Sequence, residues 1–224
     1  VFAPLGDWLI PYSSLQMMGL KREQDGWLIQ WIAKNPSIPS EPGDSFQSVA
    51  PFPDNTKIII LVGRRSMVPY IDSGGRNAPY IGWNYSFAQR DLTTGRVLGE
   101  RPLAMNETPI GVRTRLAVTP TGTAIIGFRG RSVYVWPTDP VQPARRITVT
   151  KKDVRDVALH PSGRWLLTVS ENPEVITWDT TTWKSVRTYD WGIGSVECVA
   201  ISPDGSLAAV GNETGKVAIW DWDV

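Results

Sequence analysis

Few residues in this chain are equipped for covalent chemistry. His160 is the one histidine and Cys198 the one cysteine among 224 residues. A nucleophile–base pair needs those groups within hydrogen-bond reach of each other or of a serine. Nothing in the spacing supplies such a partner, and His160 stands at a turn position that Ser202 and Thr119 fill in neighbouring segments. One Cys and one His cannot complete a Cys/His zinc set or an internal disulfide. Cys198, beside Val199 in an apolar run, reads as a small half-buried thiol. Gly74 and Gly75 precede no helical pattern, and no GxxxxGK[ST] motif occurs, so a phosphate-cradling loop is not expected. Asp54, Asp179, Asp204 and Asp221 fall singly at turns, where a carboxylate braces turn N–H groups. These residues lead us to expect no catalytic group, no metal and no cofactor: not an enzyme.

Recognition chemistry is better represented. Residues 111–152 carry eight Lys/Arg against the single acid Asp139, whereas 153–224 carry eleven Asp/Glu against five Lys/Arg. The net charge of +1 therefore hides a chain that is electrically uneven along its length. No stretch approaches the roughly 18 apolar residues of a membrane-spanning helix. The lone cysteine suits a reducing, cytoplasmic setting. Because Val1 opens the chain inside a strand-like run, upstream sequence is expected to be missing.

The elements that would present these groups follow from an internal repeat. Residues 154–179 (VRDVALHPSGRWLLTVSENPEVITWD) parallel residues 196–221 (VECVAISPDGSLAAVGNETGKVAIWD). Pro161 and Pro203 lie 42 apart, as do Trp178 and Trp220. The frame extends backward through Pro120 and Trp136, then Pro53 with Phe87 at the Trp position, then Pro4 with Trp31. This gives five units, near 1–45, 46–107, 108–152, 153–192 and 193–224. Each holds short Val/Ile-rich runs bounded by Pro, Gly, Asn and Asp, the pattern of antiparallel strands joined by tight turns. A period near 42 with three or four strands per unit indicates an all-β repeat of propeller blades.

The endings VITWD and VAIWD, with HPSG and SPDG upstream, resemble WD repeats. The resemblance is strong over 108–224 and weaker over 1–107. It implies a β-propeller of four-stranded antiparallel blades, about five of them present here, belonging to a seven-bladed ring. It also implies a non-catalytic scaffold that binds protein partners, in a style similar to bacterial WD repeats within large multidomain proteins, with missing blades or another domain of the same polypeptide upstream. The family's Gly-His pair is absent, and the turn before the third strand carries Gly130, Asn172 or Thr214 in place of Asp. The side-chain tetrad that often braces such blades is therefore not expected.

Length anomalies mark candidate binding loops. The Pro-to-Trp spacing grows from 17 to 27 in the first unit and to 34 in the second, placing insertions between the second and third strands. These would present Met17, Lys21 and Arg22, and then Arg64, Arg65, Tyr70, Arg76 and Asn77. Arg, Tyr and Met are enriched at interface cores; equally, surface loops absorb insertions at little thermodynamic cost. Trp191 and the first-strand polar residues Gln47, Thr114, Arg155 and Glu197 complete the candidate face. An alternative is nucleic-acid binding through the basic segment 111–152. A sugar-binding or hydrolytic propeller would need convergent carboxylates, which the sequence does not offer.

Overall fold

A computed structural model describes residues 8–10, 16–24, 26–34, 44–68, 73–77, 80–104 and 115–222. They are all-β, with no helix among them, and form five antiparallel sheets in two compact units, 1–108 and 109–224.

The first unit holds a three-stranded sheet of β1 (Trp8–Leu9), β2 (Gln16–Glu23) and β3 (Gly26–Lys34). Its second sheet has four strands in chain order, β4 (Asp44–Pro51), β5 (Lys57–Val68), β6 (Tyr80–Asp91) and β7 (Val97–Pro102). Ile10, Met17 and Trp31 of the first sheet pack against Phe46, Val49, Ile58 and Ile60 of the second.

The second unit holds three sheets, each running in chain order. One comprises β8 (Ala117–Val118), β9 (Ala124–Arg129), β10 (Ser132–Pro137) and β11 (Arg145–Thr148). The next comprises β12 (Val154–Leu159), β13 (Trp165–Ser170), β14 (Glu174–Asp179) and β15 (Lys184–Asp190). The last comprises β16 (Val196–Ile201), β17 (Leu207–Asn212) and β18 (Val217–Asp221). These are the blades expected from the 42-residue period. We call the sheets blades one to five in chain order, and the strands of a complete blade first to fourth.

Strand composition follows position. The inner strand β13 reads WLLTVS and is buried on both faces except at its first residue. The outer strand β15 reads KSVRTYD and is almost wholly exposed. Charged side chains there blunt a free edge that would otherwise pair with another chain. The turns from first to second strand share one geometry. Gly163 N–H donates to the His160 carbonyl at 2.8 Å and Gly205 N–H to that of Ser202 at 2.9 Å. Both glycines have φ above +70°, which any Cβ would make costly. Adjacent blades then bury apolar layers against each other. Trp178 lies with Ile126, Phe128 and Leu166, and Trp220 with Leu167, Val169 and Val210.

Register corrects the reading of both insertions. Trp165 pairs with Asp179, so in a regular blade the second strand starts opposite the end of the third. Trp8 follows Pro4 by four residues, as Trp165 follows Pro161, and pairs with Lys21 as Trp165 pairs with Asp179, which makes β1, β2 and β3 the second, third and fourth strands of blade one. Trp31 therefore stands on an outer strand, and Met17 is not loop but strand. Met17 is 0% exposed in the core, so its side chain is closed to a partner. In blade two, Ile58 pairs with Arg90 as Leu166 pairs with Trp178, so Arg90 and not Phe87 occupies the Trp position. The surplus there is a longer ladder, with pairs continuing from Arg64–Asn84 to Val68–Tyr80. Val68, Tyr80, Ile81 and Trp83 are residue types with high strand propensity, which favours extended pairing over irregular loop.

Candidate functional site

The first-strand polar residues share a structural cause. β4, β12 and β16 each skip one residue in pairing, between Phe46 and Ser48, Val154 and Asp156, and Val196 and Cys198. Gln47, Arg155 and Glu197 are those extra residues. A bulge frees its residue from the pleat and re-aims its side chain, and bulges concentrate beside functional sites. Thr114 lies outside the described residues.

In the second unit these bulges build a connected rim. Arg155 pairs with Glu171 at 2.9 Å and reaches Glu197 of the next blade at 3.7 Å. Ser195 Oγ donates to the Glu171 carbonyl at 3.2 Å, and Asn212 Nδ2 donates to the Ile193 carbonyl at 2.5 Å. Gly192 N–H is held by the Asp190 carboxylate at 2.9 Å. The loop from blade four to blade five is thus tied to the turns on either side of it. That loop carries Trp191, 39% exposed, stacked on Tyr189 at 5.7 Å and tilted against Trp220 at 5.0 Å. An exposed indole on a fixed aromatic base loses little rotamer entropy when it binds. Glu171, Ser195 and Asn212 were not identified from sequence. The available signal was Arg155 and Glu197, opposite charges one 42-residue period apart.

The first-unit candidates are scattered. Arg64 forms a bidentate pair with Glu100 of β7, its Nη2 to Oε2 distance being 3.0 Å, and Ser86 also donates to that carboxylate. The guanidinium holds the Glu100 carboxyl below the usual carboxylate range. Lys21 and Arg22 are exposed near the β2–β3 turn, and Arg76 and Asn77 are exposed in the short stretch 73–77. Gln47 is half-buried at its bulge. Arg65 lies in the β5 ladder opposite Trp83, and Tyr70 lies outside the described residues.

Asp156 couples three blades of the second unit. It is 3% exposed; its Oδ2 accepts from Val199 N–H of blade five at 3.1 Å and pairs with Arg115 at 3.0 Å. Burial pushes its carboxyl up, and the Arg115 charge opposes that shift. His160 also does more than complete a turn. Its Nδ1 meets Ser162 at 2.8 Å, its Nε2 meets the Gly205 carbonyl at 3.2 Å, and its ring stacks on Trp222 at 5.5 Å. Part of the expected-absent brace is present, since Trp178 Nε1 donates to Thr168 Oγ1 at 2.9 Å inside blade four. Among the described residues no group of three or more His, Cys, Asp or Glu could hold a metal ion.

Residues 142–179 and 183–221 match the family described as WD domain, G-beta repeat. Each matched segment begins on or just before an outer strand and runs through three strands of the next blade. The chain is similar to serine-threonine kinase receptor-associated protein of Rattus norvegicus, 26% identical over 101 residues, 45% of this chain and 29% of that protein. The Gallus gallus form is 31% identical over 105 residues, 47% of this chain and 30% of the relative. Target of rapamycin complex subunit LST8 of Bos taurus is 26% identical over 109 residues, 47% of this chain and 33% of the relative. The chain spans less than a third of the two receptor-associated relatives' length. These relatives are eukaryotic.

Proposed function

We propose that this chain is a WD-repeat β-propeller module that binds protein partners and catalyses no reaction. The observation that carries the proposal is the rim of blades four and five. Two strand bulges place Arg155 and Glu197, half-buried and 3.7 Å apart, beside a bonded loop that displays Trp191 on an aromatic base. Trp and Arg are the residue types that dominate binding energy at interfaces, and fixed loops bind with the smallest ordering loss. The relatives' names, a receptor-associated protein and a complex subunit, fit a module that works by association. We place the activity in the cytoplasm, in keeping with the single thiol.

The test is affinity capture from the cells that make the protein, with Trp191→Ala compared with Arg64→Glu. Trp191→Ala should remove most of the specifically captured partner and leave the thermal midpoint within a few degrees of the parent. Capture that survives Trp191→Ala and fails with Arg64→Glu would move the interface to the long hairpin of the first unit.

The basic segment gives nucleic acid less support than its composition suggested. Arg115 is committed to Asp156. Arg145 and Arg146 are successive residues of β11 and so project from opposite faces. Arg113 lies outside the described residues. Among the described residues, Arg115, Arg145 and Arg146 do not form one continuous row.

A further inference from the structure

Three cations of 111–152 do converge. A cleft of about 340 Å³ in blade three is lined by Arg129, Arg131 and Arg146, by Ser132 and Thr148, and at one wall by Asp153. Strand register accounts for the convergence. Ser132 pairs with Arg129 on one side and Thr148 on the other, and Tyr134 pairs with Arg146. Side chains alternate along a strand, so Arg129, Ser132, Tyr134, Arg146 and Thr148 share one face of β9, β10 and β11. The β9–β10 turn is only Gly130-Arg131, with Gly130 at φ +51°. Positive φ at the first of two turn residues is what a tight type II′ hairpin requires, and it sets Arg131 at the lip beside Arg129.

The cleft is built as well as charged. Ser132 is a fully buried hydroxyl residue, and Arg146 Nε donates to its Oγ at 3.2 Å. Thr148 Oγ1 lies 3.4 Å from the same oxygen. The Arg146 guanidinium also lies 5.9 Å from the centre of the buried Tyr134 ring. A bond through Nε fixes the plane of Arg146, and a fixed guanidinium plane is the geometry that recognises tetrahedral oxyanions through paired N–H donors.

We propose that this cleft binds a phosphomonoester, specifically the phosphorylated side chain of a partner protein. A compact dianion matches three guanidinium groups around one concave volume, with the exposed Thr148 hydroxyl among them and Ser132 beneath, holding Arg146 in place. A polyanion would need the cations to continue beyond the cleft, where Arg115 is already paired and Arg145 faces the other way. The proposal rests on the reading of the chain as a protein-binding module, and it names the chemistry one of its partners would carry.

The test uses fluorescence anisotropy on the intact chain with labelled phosphoserine and phosphotyrosine peptides of one sequence. The unphosphorylated peptide and a labelled single-stranded oligonucleotide serve as the other probes, with inorganic phosphate as competitor. Saturable, phosphate-competed binding of a phosphopeptide is expected, weakened at least about tenfold by Arg129→Gln with Arg131→Gln. Arg131→Gln alone, at an exposed turn, keeps the test available should the double variant fold poorly. Equal affinity for the unphosphorylated peptide, undiminished binding in the variants, or tighter binding of the oligonucleotide would each overturn the proposal. Trp191→Ala, run in parallel, separates the two claims. If the phosphopeptide fails to bind while Trp191-dependent capture persists, the cleft assignment falls and the binding module stands.

Discussion

Blades four and five are built on one frame, 42 residues apart, yet they are held together differently. In blade four, Trp178 donates its indole N–H to Thr168. The equivalent Trp220 faces Val210 where the hydroxyl would be, and its buried Nε1 finds no hydrogen-bond partner among the described residues. Buried Asp156 of blade four captures a backbone N–H of blade five, whereas its equivalent Cys198 is exposed, with its thiol 3.8 Å from the Gly211 carbonyl. His160 reaches out of blade four to Gly205 and Trp222, whereas the equivalent Ser202 donates within its own turn to Asp204 at 2.6 Å. Backbone pattern and apolar layer suffice to make a blade. The polar brace is an addition that one blade keeps and its neighbour lacks.

Truncating the two tryptophans breaks that comparison most strongly. Each change to alanine should cost about 3–5 kcal/mol by emptying an inter-blade layer. Trp178→Ala should cost more than Trp220→Ala, because it also strands Thr168, and chemical denaturation of both variants checks the order. Thr168→Val should cost about 1–2 kcal/mol by leaving the Trp178 N–H unsatisfied. The reciprocal Val210→Thr should gain up to about 1 kcal/mol by giving Trp220 an acceptor. If both substitutions prove neutral, the brace contributes nothing in either blade.

Protonation sharpens the contrast with the smallest effect. Burial lifts the Asp156 carboxyl above its ordinary 3.8, so between 3.8 and that higher value the folded chain holds more proton than the unfolded one. Its contribution to stability therefore falls as pH rises through this window. Asp204, at the first turn of blade five, is lowered to about 2 by Ser202 and Ser206. Its contribution is present above 3.8 and fades as pH drops toward 2. In an amide NMR titration, Val199 should respond above 3.8 and Ser206 near 2. Coincident midpoints would remove the distinction.

How much was legible depended on whether the period recorded it. Blades four and five were readable strand by strand, since Pro161, Pro203, Trp178 and Trp220 fix the frame. The turn carboxylates were equally plain, as in Asp54 accepting from Thr56 N–H and Asp179 from Thr181 and Thr182. Blade one was misframed because Trp31 is a tryptophan at a tolerable distance, and only the Trp8–Lys21 register shows that it belongs to an outer strand. Met17 looked like a loop residue for the same reason. Arg155 and Glu197 were chosen as polar residues in apolar strands, but their bulges and their contact across blades emerge only from pairing. The cleft was visible as a charge surplus; which of its arginines share a face depends on the β9–β11 register.

The central claim is that the Trp191 rim meets partner proteins. The most direct measurement is photo-crosslinking in the cells that make the protein. A benzophenone side chain would be placed at Trp191 or at Val141, which is 88% exposed in the β10–β11 connection, at the opposite end of its blade's strands. The expected result is a discrete crosslinked partner from position 191 and background from 141. Equal crosslinking from both, or a partner captured from 141 alone, would contradict it.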